Sequence, residues 1–189
     1  MAATVLNLAA TGLATACDDD NSITAPLTGE QQSAQIAATV RNDAHILAVT
    51  HVSNLGEISA GNVALTKGSD AAVKQFAAQM IADHTNVDAQ GNAIATSLGA
   101  SLTPPDNTLP TIVAAESDTL NAATAGTTFD RVYIAQQVRA HIRTLGLVDA
   151  SIPLAQNAQL KALLQNTVRP GVAMHLQMAQ TIQARIGTP

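Results

Sequence analysis

Three histidines, His84, His141 and His175, each fall inside an apolar stripe of helical period. One stripe runs Val73, Phe76, Ala77, Met80, His84, Val87, Gly91, Ile94 and Leu98. Another runs Ile134, Val138, His141, Leu145 and Val148, and a third Leu164, Val168, Val172, His175, Ala179, Ile182 and Ile186. A lone His on such a face is more often a hydrogen-bonded core residue than a ligand. Three on three segments change the balance, because each buried imidazole without a partner costs on the order of 1–3 kcal/mol. One shared cation or carboxylate satisfies all three. A further segment offers His51, which follows Leu47 and precedes Leu55 and Ile58 on one stripe, and Glu57 on its flank beside Gly61. The expected metal ligands are therefore Glu57, His84, His141 and His175, with His51 in a secondary place.

The ligand types narrow the chemistry. Di-iron helical sites use Glu-x-x-His pairs. The glutamates here are Glu30, Glu57 and Glu116, none followed by His at that spacing, so the sequence argues against a ferroxidase centre. Met80 stands one turn before His84, and Met174 and Met178 flank His175. Imidazole with thioether suits copper, although Met at helical spacing also simply fills core gaps. Asp83 and Asp88 bracket His84, and Asp88 at i+4 is placed to orient its ring.

The elements that must carry these residues read as helices. Thr28-Gly29-Glu30-Gln31 forms a capping-box start, with helical sequence from Glu30 to Lys67 interrupted near Arg41-Asn42-Asp43. Gly68-Ser69-Asp70 is a stop and restart capped by Ser69, opening a helix to Leu98 that runs antiparallel to the one before. Gly99 to Pro110 reads as a loop, followed by a weak helix over Thr111–Ala123. A long helix then starts at Thr127 or Thr128 and ends near Ser151, before Pro153. A last one spans 157–186, with a kink or break at Arg169-Pro170-Gly171. No period-2 alternation of useful length occurs. The expected fold is all-α: an antiparallel four-helix bundle with a longer crossover between its second and third helices. At 1.5 Å per residue, Glu57 and His84 sit about 7 Å apart in level around Gly68. Around a hairpin centre at Leu154, His141 and His175 sit about 12 Å apart, too far for one site unless the register shifts.

Composition sets the outer limits. The chain has 189 residues, 9 Lys+Arg against 14 Asp+Glu, a net charge of −5 and 12% charged residues. Clustered basic residues needed to neutralise phosphate are missing, so nucleic acid is excluded as a partner. Hydrophobic residues make up 47% but aromatics only 2%, which removes aromatic cages and base-stacking platforms. Cys17 is the lone cysteine and closes no internal disulfide. It follows the uncharged segment 4–16, ending Ala14-Thr15-Ala16, and precedes Asp18, Asp19 and Asp20. That order resembles a bacterial lipoprotein signal with Cys17 as the lipidated residue. The first basic residue is Arg41, so the basic stretch expected ahead of such a signal is missing: either the signal is truncated or the segment is merely an apolar tail. The expected organisation is a signal segment over 1–16, a polar tether and helix start over 17–40, and the bundle over 41–189. The expected place is the bacterial periplasm, with membrane contact only through a lipid at Cys17.

Several phrases also resemble a known family. Asn54-Leu55-Gly56-Glu57-Ile58 with Gly61, then Ala64-Leu65, then Val73-Lys74, Phe76-Ala77, Met80-Ile81 and Asp83-His84 are followed by Phe129-Asp130 with Tyr133. His175-Leu176 with Met178-Ala179 closes the series. In order and spacing they resemble domain of unknown function 4142, over roughly Asp43 to Ala184. The resemblance implies a ferritin-like helical bundle, exported and often lipid-anchored or described as an outer-membrane protein, with no established activity. Its recurring polar positions correspond to Glu57, Asp83, His84, Asp130, Tyr133, His141 and His175. Asp130 and Tyr133 from this resemblance, and Met80 and Met178 from the thioether reading, join His51 as secondary site residues. The chain departs from the family at Val168-Arg169-Pro170, where a Leu-Pro pair is usual.

Two functions compete on these grounds. One is a periplasmic module binding copper, zinc or iron through His84, His141, His175 and Glu57. The other is a structural or stress-related envelope protein whose buried polar network specifies helix pairing. No nucleophile elbow, Walker motif, dinucleotide fingerprint or catalytic Cys points to an enzyme.

Overall fold

The structure, a computed structural model, describes residues 26–189. The signal segment and Cys17 lie outside the described residues. Those described are all-α, without strands: α1 (Gly29–Ala37), α2 (Asp43–Lys67), α3 (Ala71–Leu98), α4 (Thr108–Ala122), α5 (Thr127–Ser151), α6 (Ala158–Leu163) and α7 (Arg169–Ile186). A π turn over Leu164–Val168 joins α6 to α7 in one continuous rod.

Side-chain caps set most of these boundaries. Thr28 and Gln31 form the reciprocal capping box that opens α1. Asn42 accepts from the His45 amide and restarts the chain as α2. Asp70, rather than Ser69, caps α3 through the amides of Ala72 and Val73. Arg185 grips the same carboxylate at 2.6 and 2.8 Å. That pairing, before any other influence, holds its pKa down to about 2. Gly99 ends α3 at φ +61°, a left-handed turn that favours glycine. The loop after it is shorter than expected, because α4 begins at Thr108 and takes Pro110 into its first turn. No intrahelical N–H is required there.

α2 and α3 form one antiparallel hairpin, and α5 with the α6–α7 rod forms the other; α1 lies on α5, and α4 on α2. Small residues bring the first pair close. A Cβ at Gly61 would stand 2.7 Å from Ile81 Cγ1 and 3.0 Å from the Ala77 carbonyl. Each hairpin connection is held by a carboxylate from the other pair. Asp130, in the first turn of α5, accepts from the Ser69 amide at 3.0 Å, the Ser69 hydroxyl at 2.5 Å and the Asp70 amide at 3.0 Å. Asp43, at the start of α2, accepts from the amides of Gln156 and Asn157, each at 2.8 Å.

The interior divides into two apolar clusters. One gathers Ile46, Leu47, Ile94, Leu147, Leu164 and Val168, and the other Val73, Phe76, Met80, Phe129, Tyr133 and Ile182. Between them, on each of three helices, the apolar stripe is interrupted by one histidine.

Candidate metal centre

His84 sits on α3, His141 on α5 and His175 on α7, exposed by 6%, 1% and 3% respectively. Their ring centroids are 5.9 Å apart for His84 and His141, and 5.5 Å for each pair that includes His175. One nitrogen from each ring lies within 4.8 Å of one from each of the others. The 12 Å offset expected between His141 and His175 does not arise. Helical bonding continues past Ser151 to Ala155, whose amide donates to the Ser151 carbonyl at 3.1 Å. The hairpin therefore turns near Gln156 rather than Leu154, leaving an offset of about 6 Å that the side chains span.

Each ring spends one nitrogen outward. His84 Nδ1 meets Asn54 Oδ1 at 2.9 Å, His141 Nδ1 meets the Gln137 carbonyl at 2.9 Å, and His175 Nε2 meets Asp83 Oδ2 at 2.9 Å. All three partners are acceptors, so in each neutral ring that nitrogen carries the proton. The other nitrogens, His84 Nε2, His141 Nε2 and His175 Nδ1, are buried and meet no hydrogen-bond partner. Three bare lone pairs thus share one polar layer. An imidazole whose second nitrogen donates to a carbonyl or carboxylate is the usual form of a metal-binding His.

Burial favours the neutral form of His84 and His141. Burial, then the neighbouring His141 and His175, depress His84 to a pKa of about 3. Burial also lowers His141, with Glu57 pulling the other way. The Tyr133 phenol is pushed well above its ordinary value by burial and then by Glu57. Both the Tyr133 hydroxyl and Glu57 Oε2 are buried without a partner.

The remaining expected residues fall elsewhere. Glu57 is not among the clustered ligand atoms; it lines a separate cavity of about 340 Å³ between α2, α4 and α5, with Gln136, Gln137 and Arg143. His51 pairs with Asp88 at 2.7 Å, so Asp88 orients His51 and not His84. Asp130 is occupied by the α2–α3 connection. Tyr133 stacks on Phe129 at 6.0 Å and meets Phe76 edge-on at 6.2 Å. Met80 is fully buried in the apolar cluster of Phe76 and Tyr133, and Met178 packs against its edge. Asn54 is the partner that reading stripes misses. Hairpin arithmetic marks it, since Asn54 and His84 are equally distant from Ser69 along the chain.

Comparison with curated proteins gives no match. Among solved structures, the chain is similar to a candidate secreted protein of domain of unknown function DUF305 from Streptomyces coelicolor. The identity is 12%, the TM-score 0.67, and the match covers 77% of this chain and 94% of the other. At that identity the likeness concerns the fold. Among the described residues, no helix is long and apolar enough to cross a membrane. The profile of "Domain of unknown function (DUF4142)" matches residues 28–182, an interval that holds α1 through α6 and all three clustered histidines. The chain therefore belongs to the DUF4142 family.

Proposed function

We propose that this protein is an exported, ferritin-like four-helix bundle that holds one transition-metal ion through His84, His141 and His175. The observation that carries the reading is the division of labour in each ring, one nitrogen donating outward and the other buried without a partner. Three neutral imidazoles select borderline divalent ions such as zinc and copper over magnesium or calcium. Nitrogens within 4.8 Å of one another can converge on one ion at bonds of about 2.1 Å through small rotations of the rings. With Met80 and Met178 engaged in packing, the thioethers add little to the preference for copper.

Protein refolded with copper, zinc or iron in turn, then dialysed, should retain close to one ion per chain for at least one metal. The variant His84→Ala/His141→Ala/His175→Ala should retain none. Equal retention by both proteins overturns the assignment. An unaltered melting temperature with metal and with chelator would favour the purely structural polar network.

Export rests on two supports: the Ala14-Thr15-Ala16-Cys17 segment and the description of the Streptomyces coelicolor structure as a candidate secreted protein. On this reading Cys17 carries the lipid in the periplasm. Mass spectrometry of the membrane fraction should find a Cys17 peptide with added acyl mass, and an unmodified soluble chain counts against the anchor.

A further inference from the structure

A second cavity, about 230 Å³ in volume, adjoins the triad. Its walls come from α2, α3, α5 and the α6–α7 rod. His84 and His175 line it and His141 does not, so it meets the triad on one side only. The rest of the wall combines apolar side chains such as Leu147 and Val168 with the hydroxyls of Ser53 and Ser151, and with Asn54 and the Asp83 carboxylate, which are engaged by His84 and His175. The π turn and Gly171 form one flank, and a Cβ placed at Gly171 meets nothing within 4 Å.

These features have a common explanation. Three protein nitrogens leave a four-coordinate ion one position short, which is how sites that take an exogenous ligand are built, in contrast to closed structural sites. The acid best placed by sequence to close the set, Glu57, lines the other cavity, between α2, α4 and α5. The flank facing the open side is loosened by a π turn, a distortion found frequently at functional sites. The residue two places after Val168 is Pro170, whose missing amide and bulky ring disfavour α-helical bonding to Asn166. The wide turn is thus written into the sequence.

We propose that this chamber admits a small molecule with a single donor atom, such as a linear inorganic anion, to the open position of the metal. The proposal rests on the metal reading above, and the test keeps the two apart. Protein loaded with cobalt(II) is assayed for cobalt per chain and for visible absorption during titration with sodium azide. The expected result is one cobalt per chain and a saturable change in the cobalt bands. Gly171→Leu should retain cobalt while weakening azide at least tenfold, because the new side chain enters the chamber. Val168→Ala enlarges the same wall and should tighten binding of free imidazole, a bulkier ligand, at least threefold. This second variant decides the matter should Gly171→Leu fail to fold. Loss of cobalt from the unaltered protein overturns the metal reading and the chamber with it. Retained cobalt with no azide response, or equal azide affinity in Gly171→Leu, or unchanged imidazole affinity in Val168→Ala, overturns the chamber alone.

Discussion

At His84 burial acts directly on charge. Its folded pKa near 3 lies below the ordinary 6.5, so between these values the unfolded chain binds the proton and the folded chain does not. Stability of the metal-free protein is therefore complete above pH 6.5 and falls as the pH drops toward 3. Between pH 7 and pH 5, His84 alone should cost about 2 kcal/mol, and His141, shifted the same way, adds to it. Urea midpoints measured at the two pH values test this; coincident midpoints would mean that His84 protonates without unfolding. Asn54 supplies a second prediction. Asn54→Ala leaves all three ligands intact but deprives His84 Nδ1 of its acceptor. Metal affinity, read by competition with a chelating dye, should weaken about 10–100-fold. The three histidines were legible from the sequence because helical period alone decides which way a residue faces. The side-chain partners of His84 and His175 were not, because Asn54 and Asp83 come from neighbouring helices, and which residues meet between helices depends on where the chain turns.

At the scale of elements, two glycines on different helices should answer differently to the same change. Gly61→Ala brings a methyl group against Ile81 and the Ala77 carbonyl where α2 meets α3. It should destabilise by about 1–3 kcal/mol. Gly171→Ala meets open space and removes a flexible residue from a helix interior, so it should stabilise by up to about 1 kcal/mol. Denaturant unfolding of both variants checks the pair, and equal effects would deny the close approach of α2 and α3. Helix positions followed from caps and breakers: Thr28, Asn42, Gly99 and Pro153 all punctuate the chain near where sequence reading places them. Pro170 shows what such signals leave open. A kink or break was expected there, yet the helix continues by widening into a π turn over Leu164–Val168. Sequence signals a conflict with α-helical bonding; packing of Leu164, Val168 and Val172 in one apolar cluster favours resolving it without a break.

For the molecule as a whole, a metal held as proposed would be linked to folding, because it binds only the folded chain. Free zinc or copper at about 100 times its dissociation constant should stabilise the folded state by about 2.7 kcal/mol. That corresponds to a rise of about 5–10 °C in melting temperature for a domain of this size. Differential scanning calorimetry with metal and with chelator measures it, and the triple His→Ala variant should show no difference. The all-α class was evident from the missing period-2 pattern, whereas the polar layer between two apolar clusters emerges only when the helices are set side by side. The reciprocal grip of Asp130 on Ser69 and Asp70, and of Asp43 on Gln156 and Asn157, has a dynamic consequence. Neither hairpin can fray at its turn without loosening its hold on the other pair. The amide protons of Ser69, Asp70, Gln156 and Asn157 should therefore exchange with solvent deuterium far more slowly than loop amides ordinarily do. Asp130→Ala should accelerate exchange not only at Ser69 and Asp70 but across both hairpins together, the mark of a structure that opens as one cooperative unit.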